Sequence, residues 1–205
     1  MHVPEKWSME TALEIQQFID ANGFAVLITK DLEATHLPLI IQKNEGELGM
    51  LYGHIARNNT HLKSLGNAEV LVVFSGAHSY ISPTWYDKTP AVPTWNYSSV
   101  HAFGKLEFTD EDITKSALFG LIEKYEPHLL EHNDQIMPDE YLKKLSNGIV
   151  GFKVKISKLQ GKEKLGQHRS VEDQMGVVSG LAQSDNSNAK SLLEYMQQRK
   201  IGCGV

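Results

Sequence analysis

The chain has 205 residues, 41% hydrophobic and 22% charged, which suits a globular protein with a substantial buried core. No apolar run approaches the ~20 residues that span a bilayer, and the start, Met1-His2-Val3-Pro4-Glu5-Lys6-Trp7, lacks the basic and apolar regions of a secretory signal. The lone Cys203 excludes an intramolecular disulfide and fits a cytoplasmic compartment, and the net charge of −5 excludes DNA binding through a general basic surplus.

Ser8 is placed to cap a first helix whose apolar positions Ala12, Ile15 and Ile19 recur at helical spacing, with Gly23 near its end. Phe24 to Thr29 then reads as a buried strand, and His36 to Ile41 as a second one. Asn44-Glu45-Gly46-Glu47 is a hairpin turn returning through Leu48 to Tyr52. Asn58 or Asn59 is placed to cap a short helix holding Leu62 and Leu65. Val70 to Phe74 is the strongest strand signal, followed by a second run from Gly76 to Ser82. A Pro- and Trp-rich loop covers residues 83–95. Val100 to Phe108 alternates as a strand, two helices fill an insertion over about 110–147, and Ile149 to Ile156 alternates cleanly. The tail from about 170 to 205 reads as helical. About seven strands, mostly joined by turns and without a βαβ rhythm, predict one mainly β domain over residues 1–205, an antiparallel barrel with peripheral helices.

Four constellations carry chemical potential. Tyr52-Gly53-His54-Ile55-Ala56-Arg57-Asn58-Asn59 is a strand end, a turn and an expected helix start, where unpaired N–H groups and Arg57 could grip a phosphate. An ordinary capped helix with a surface arginine is the commoner arrangement with such a pattern. The triplets Pro83-Thr84-Trp85 and Pro93-Thr94-Trp95 stand ten residues apart, and their indoles need a cover: a planar ligand, a partner subunit, or the protein's own barrel. The only locally basic stretch, Lys153 to Arg169, has five lysines and one arginine against Glu163, and its turn offers Lys164 and Arg169 to an anion or to bulk solvent. His128-Leu129-Leu130-Glu131-His132 matches a zinc-peptidase spacing, but Pro127 and Asn133-Asp134 frame it as a frayed helix end, so no metal is expected.

Taken in order, His36-Leu37-Pro38-Leu39, Gly53 to Asn59, Ser79-Tyr80-Ile81-Ser82-Pro83-Thr84-Trp85-Tyr86, Val92-Pro93-Thr94-Trp95-Asn96-Tyr97 on to Gly104, and Gly161 to Leu165 resemble the PaiB family. Its members are called protease synthase and sporulation negative regulatory proteins, or FMN-binding negative transcriptional regulators. The resemblance implies an antiparallel split β-barrel of the pyridoxamine-phosphate-oxidase-like type, and a homodimer with FMN between subunits. It also implies FMN contacts at His54, Ala56, Arg57, Asn58, Asn59, Trp85, Trp95, Asn96, Lys164 and Arg169. The wider group's Ser-Arg-Lys phosphate run stands here as Ala56-Arg57-Asn58, keeping the arginine alone. The family's Lys-Leu-Ser-Gln-Asn-Arg run stands as Lys164-Leu165-Gly166-Gln167-His168-Arg169. Repression of sporulation and protease genes follows from the resemblance. The residues contain no helix-turn-helix and an acidic balance, so regulation is expected to be indirect. An FMN-dependent oxidoreductase, or a haem-handling protein with a histidine ligand, are the other functions such a barrel could serve.

Overall fold

The structure is a computed structural model that describes residues 1–129, 136 and 138–204. Contacts divide the chain into two compact units: Met1–Thr11 with Ser75–Val100 and Gln160–Val205, and Ala12–Phe74 with His101–Leu159.

The second unit holds a part of every strand. Helix α1 (Ala12–Ala21) leads to β1 (Phe24–Ile28), β2 (Ala34–Pro38), β3 (Ile40–Gln42) and β4 (Met50–Ala56), followed by the single-turn helix α2 (Leu62–Leu65). The long strands β5 (Glu69–Ile81), β6 (Thr94–Phe108) and β7 (Ile149–Lys164) contribute the rest, with helices α3 (Glu111–Tyr125) and α4 (Asp139–Ser146) inserted between β6 and β7. The strand order is β2-β1-β5-β6-β7-β4-β3. One residue, Leu39, separates β2 from β3, yet these strands are the opposite edges of that order. The sheet must therefore curl until its edges meet, which is how a barrel removes exposed edges.

The residues at this junction show why the single run read from His36 to Ile41 breaks. Pro38 has no N–H for a continuing ladder. Leu39 instead donates its N–H to the Gly23 carbonyl at 2.8 Å, after which Ile40 pairs with Tyr52 on β4. Gly53 allows the crossing, since a Cβ there would collide with the Leu39 side chain. The barrel interior is filled by Leu27, Leu39, Leu51, Val72, Phe74 and Phe152, each fully buried. Helix α3 packs Ala117 and Leu121 on Ile40, capped by Asp110, whose side chain accepts from Ile113 N.

The first unit holds the remaining parts of β5, β6 and β7. Helices α5 (Val171–Ala182) and α6 (Ser187–Arg199) pack Val177, Leu181, Leu192 and Met196 against Ile81, Tyr86 and Leu165. Ser170 and Asn186 cap them through their side-chain oxygens.

Several expectations need correction. Ser8 does not cap α1; it forms an antiparallel bridge with Lys162, and the helix starts at Ala12. Neither Asn58 nor Asn59 is the residue before α2, which begins at Leu62; the Asn59 side chain accepts from His61 N at 2.9 Å in a local turn. The runs read as separate or short strands around Gly76, Val100 and Ile156 belong to strands that are longer, reaching Ile81, Thr94 and Lys164. Part of the His128–His132 pattern, residues 130–132, lies outside the described residues.

Candidate functional site

The two matching Pro-Thr-Trp triplets fold differently, and the residue before each proline explains it. Ser82 turns its hydroxyl onto Thr84 N (3.2 Å), capping a 3₁₀ turn over Pro83–Trp85. Val92 has no such oxygen, so Pro93 leads straight into β6. Trp85 lands, half-buried, against α5, where Gly176 and Gly180 make room for it. Trp95 stays 52% exposed.

On β6 the even positions Asn96, Ser98, Val100, Ala102, Gly104 and Leu106 point inward, so Trp95 and Tyr97 lie on the opposite face. On β5 the inward positions change from Val70, Val72 and Phe74 to Ser79 and Ile81 across Ser75–Ala77. That shift turns His78 and Tyr80 outward. The Trp95 ring lies 6.2 Å from His78, tilted by 33°, and 6.4 Å from Tyr80, edge-on at 78°. An open aromatic surface results, 46% of Tyr80 being exposed. Lys164 anchors its base by donating to Thr94 Oγ1 (2.5 Å) and the Trp95 carbonyl (3.0 Å).

Lys164 belongs to a concentration of positive charge around Trp7. Lys6, Lys162 and Lys164 place their ammonium groups 4.8, 5.2 and 5.7 Å from the Trp7 ring, and His168 meets that ring edge-on at 5.9 Å. Burial, then Tyr97, Lys162 and Arg169, set the Lys164 pKa, with a net downward shift; burial and the cations Lys6, Arg169 and Lys164 lower that of His168.

Asn96 and Arg169 line a recess with Tyr86, Gly166, Asp173 and Gly202. Its interior has room for little more than one water molecule. It is too small to enclose a flavin. The Arg169 guanidinium stacks 4.3 Å from the Tyr86 ring and stands 4.0 Å from Asp173.

The other predicted residues lie in the barrel unit. His54 is half-buried on β4, opposite Gly151, and burial lowers its pKa. Ala56 ends β4, and Arg57, Asn58 and Asn59 form the turn beyond it. Arg57 donates through Nε to the Asn147 carbonyl and through Nη2 to the Ile149 carbonyl, both at 2.9 Å. Its fork is thus engaged with backbone, and the helix that follows begins only at Leu62. Among the other histidines, His61 is fully buried and bonded at both ring nitrogens, by Thr29 and Thr35 at 2.8 Å each. Among the described residues no cluster has the makings of a metal site.

Sequence reasoning passed over Trp7 and Lys6. Their signal was weak, because the bridge that brings the first residues to β7 joins positions more than 150 apart. Lys162 and Lys164 were visible, but their shared face became meaningful only once β7 ran on to Lys164.

A curled antiparallel sheet with an open aromatic face and nearby cations defines the class: a split barrel of the kind that carries flavins. The chain belongs to the family described as "Putative FMN-binding domain", whose model matches residues 1–158. It is 36% identical over 207 residues to protease synthase and sporulation protein PAI 2 of Bacillus subtilis, covering 97% of this chain and 98% of that one. An uncharacterised Aspergillus fumigatus protein is 29% identical over 242 residues, covering 90% of this chain and 92% of its own. The fold is shared with a flavocytochrome from Azotobacter vinelandii (TM-score 0.62, 16% identity, 80% of this chain and 73% of that one). It is shared too with an FAD and heme binding protein from Mycobacterium smegmatis (TM-score 0.58, 14% identity, 78% and 74%). No helix among the described residues is long and apolar enough to cross a membrane. FMN is the cofactor that this family membership assigns.

Proposed function

We propose that the chain is a cytoplasmic, homodimeric FMN protein that influences gene expression in the manner its Bacillus relative's name indicates, without holding DNA by itself. The observation that carries this reading is the open Trp95–Tyr80–His78 surface with Lys164 anchored at its base. Planar apolar surface favours a planar ring, and a cation beside it favours the electron-rich edge of a flavin. The residues present therefore suit FMN. When bound, FMN supplies one- and two-electron redox chemistry; the chain's own residues bind, orient and cover it. The recess at Asn96 and Arg169 is too small to wrap the ring, so a second copy is the natural cover. Aromatic residues are enriched where subunits meet.

Flavin fluorescence titration tests this reading. Quenching with a dissociation constant in the micromolar range is expected, and no quenching at tens of micromolar protein would end it. Mobility-shift assays at two salt concentrations test the second half. No submicromolar, sequence-specific DNA binding is expected at net charge −5. Any weak binding should be similar on unrelated fragments and fall steeply with salt. Tight binding to one promoter alone would overturn it.

A further inference from the structure

We infer that the Trp7 cluster is a phosphomonoester site, and that the group it takes is the phosphate of FMN. This rests on the flavin reading above, and it names where the charged end of the ligand is held.

Strand alternation builds the site. Lys162 and Lys164 are two apart on β7 and share a face, while Glu163 between them points the opposite way. Glu163 is 2% exposed and already committed: Arg199 reaches its two carboxylate oxygens from Nε (2.8 Å) and Nη2 (3.0 Å), and Tyr195 donates to it as well. The one acid of this stretch is therefore unavailable to the lysines.

Lys162 is the decisive residue. It is only 7% exposed, yet no carboxylate among the described residues pairs with it. Its ammonium donates to the His2 carbonyl at 3.1 Å and lies 5.2 Å from both the Trp7 and Tyr97 rings. Ring faces attract a cation, but a buried charge ordinarily has an ionic partner. A further buried donor lacks an acceptor here, Trp7 Nε1. Lys6, Lys164 and His168 add charge around the same indole. Buried donors without acceptors, set beside several cations, are the complement of a phosphate carrying nearly two negative charges and three acceptor oxygens. Arg57, by comparison, already spends its fork on two backbone carbonyls.

The test compares FMN with riboflavin, which lacks the phosphate, in fluorescence titrations of the full chain. Wild-type protein should bind FMN at least about tenfold more tightly, the ratio expected from one charge-assisted hydrogen bond. Lys162 is buried and its replacement risks the fold, so the variants are Lys6→Ala, Lys164→Met and the two combined. In the double variant the ratio should fall to about twofold or less, as the loss of charged contacts requires, FMN losing far more affinity than riboflavin. Arg57→Ala should keep the wild-type ratio. Equal binding of both flavins by wild-type protein would overturn the phosphate site and leave flavin binding standing. A ratio that survives in the double variant but vanishes in Arg57→Ala would move the phosphate to the turn after β4. If neither flavin binds, the flavin reading fails. Inorganic phosphate then decides the site alone: a rise in Tm for wild type but not for the double variant supports it, and no rise ends it.

Discussion

Gly180 on α5 lies directly under the indole of Trp85: a Cβ at that position would sit in hard contact with the ring, 2.6 Å from Cγ and nearer still to Cδ2 and Cε2. One turn earlier, Gly176 gives the same clearance to the Trp85 carbonyl. Gly180→Ala should therefore destabilise by about 1–3 kcal/mol, the usual cost of overpacking, despite alanine's better helix propensity. Urea unfolding checks this, and a paired Gly180→Ala, Trp85→Leu variant should recover part of the loss. A stabilised Gly180→Ala protein would show that α5 can step away from the triplet.

Trp85 and Trp95 should respond differently to truncation, although their sequence surroundings match. Trp85→Ala removes packing from the α5–α6 cluster and should lower Tm while leaving flavin affinity within about twofold, an interaction term of a few tenths of a kcal/mol. Trp95→Ala, on an open surface, should leave Tm nearly unchanged. It should weaken flavin binding or self-association by about 1 kcal/mol or more, as an interface aromatic does. Sedimentation and fluorescence titration together decide it. If both variants leave association and affinity unchanged, both indoles serve packing alone.

Breaking the buried carboxylate on β7 should be costly. Glu163→Gln removes the buried carboxylate that the Arg199 guanidinium grips, and a loss of about 3 kcal/mol is expected, toward the low end because Arg199 keeps 30% of its side chain in water. Tyr195→Phe removes the hydroxyl's hydrogen bond to Glu163, and about 1 kcal/mol should follow. Burial and Glu163 raise the Tyr195 pKa, so its hydroxyl remains protonated and donating at neutral pH. Equal losses in the two variants, measured by urea unfolding, would contradict this division.

Acid should weaken the fold from just below neutral pH. Burial lowers the pKa of His54 and His101, and burial with nearby cations lowers that of His168. The unfolded chain takes up these protons near the ordinary value of about 6.5, while the folded chain resists them. Stability is thus full above that value and declines as pH falls toward the lower folded values. Asp20, whose pKa burial would raise, is held down by Lys43 and Lys124, so its share is lost only at more acid pH. Urea midpoints should fall between pH 7.5 and pH 5.5, and His54→Gln should remove part of that slope. A flat profile over this window would contradict the sign.

What the sequence determined by itself is considerable. Alternation and apolar runs marked a part of every strand, with β2 and β3 read as one run and β5 as two, since a period of two survives in any half-buried strand. The Ser82-Pro83 and Val92-Pro93 pairs marked the loop, and the His36–Gly104 motifs carried the family. Only the tertiary structure decided how Pro38 and Leu39 throw one run across the two edges of the sheet, because an edge is defined by its neighbours and not by its own residues. It also separated the two tryptophans, through the helix glycines that receive Trp85. The charge cluster was the least legible. A net charge of −5 hides it, and the bridge of Ser8 to Lys162 joins segments whose separation no local period records. Local patterns encode which face of a strand is wet; which distant side chains share that face depends on strand pairing across the whole chain.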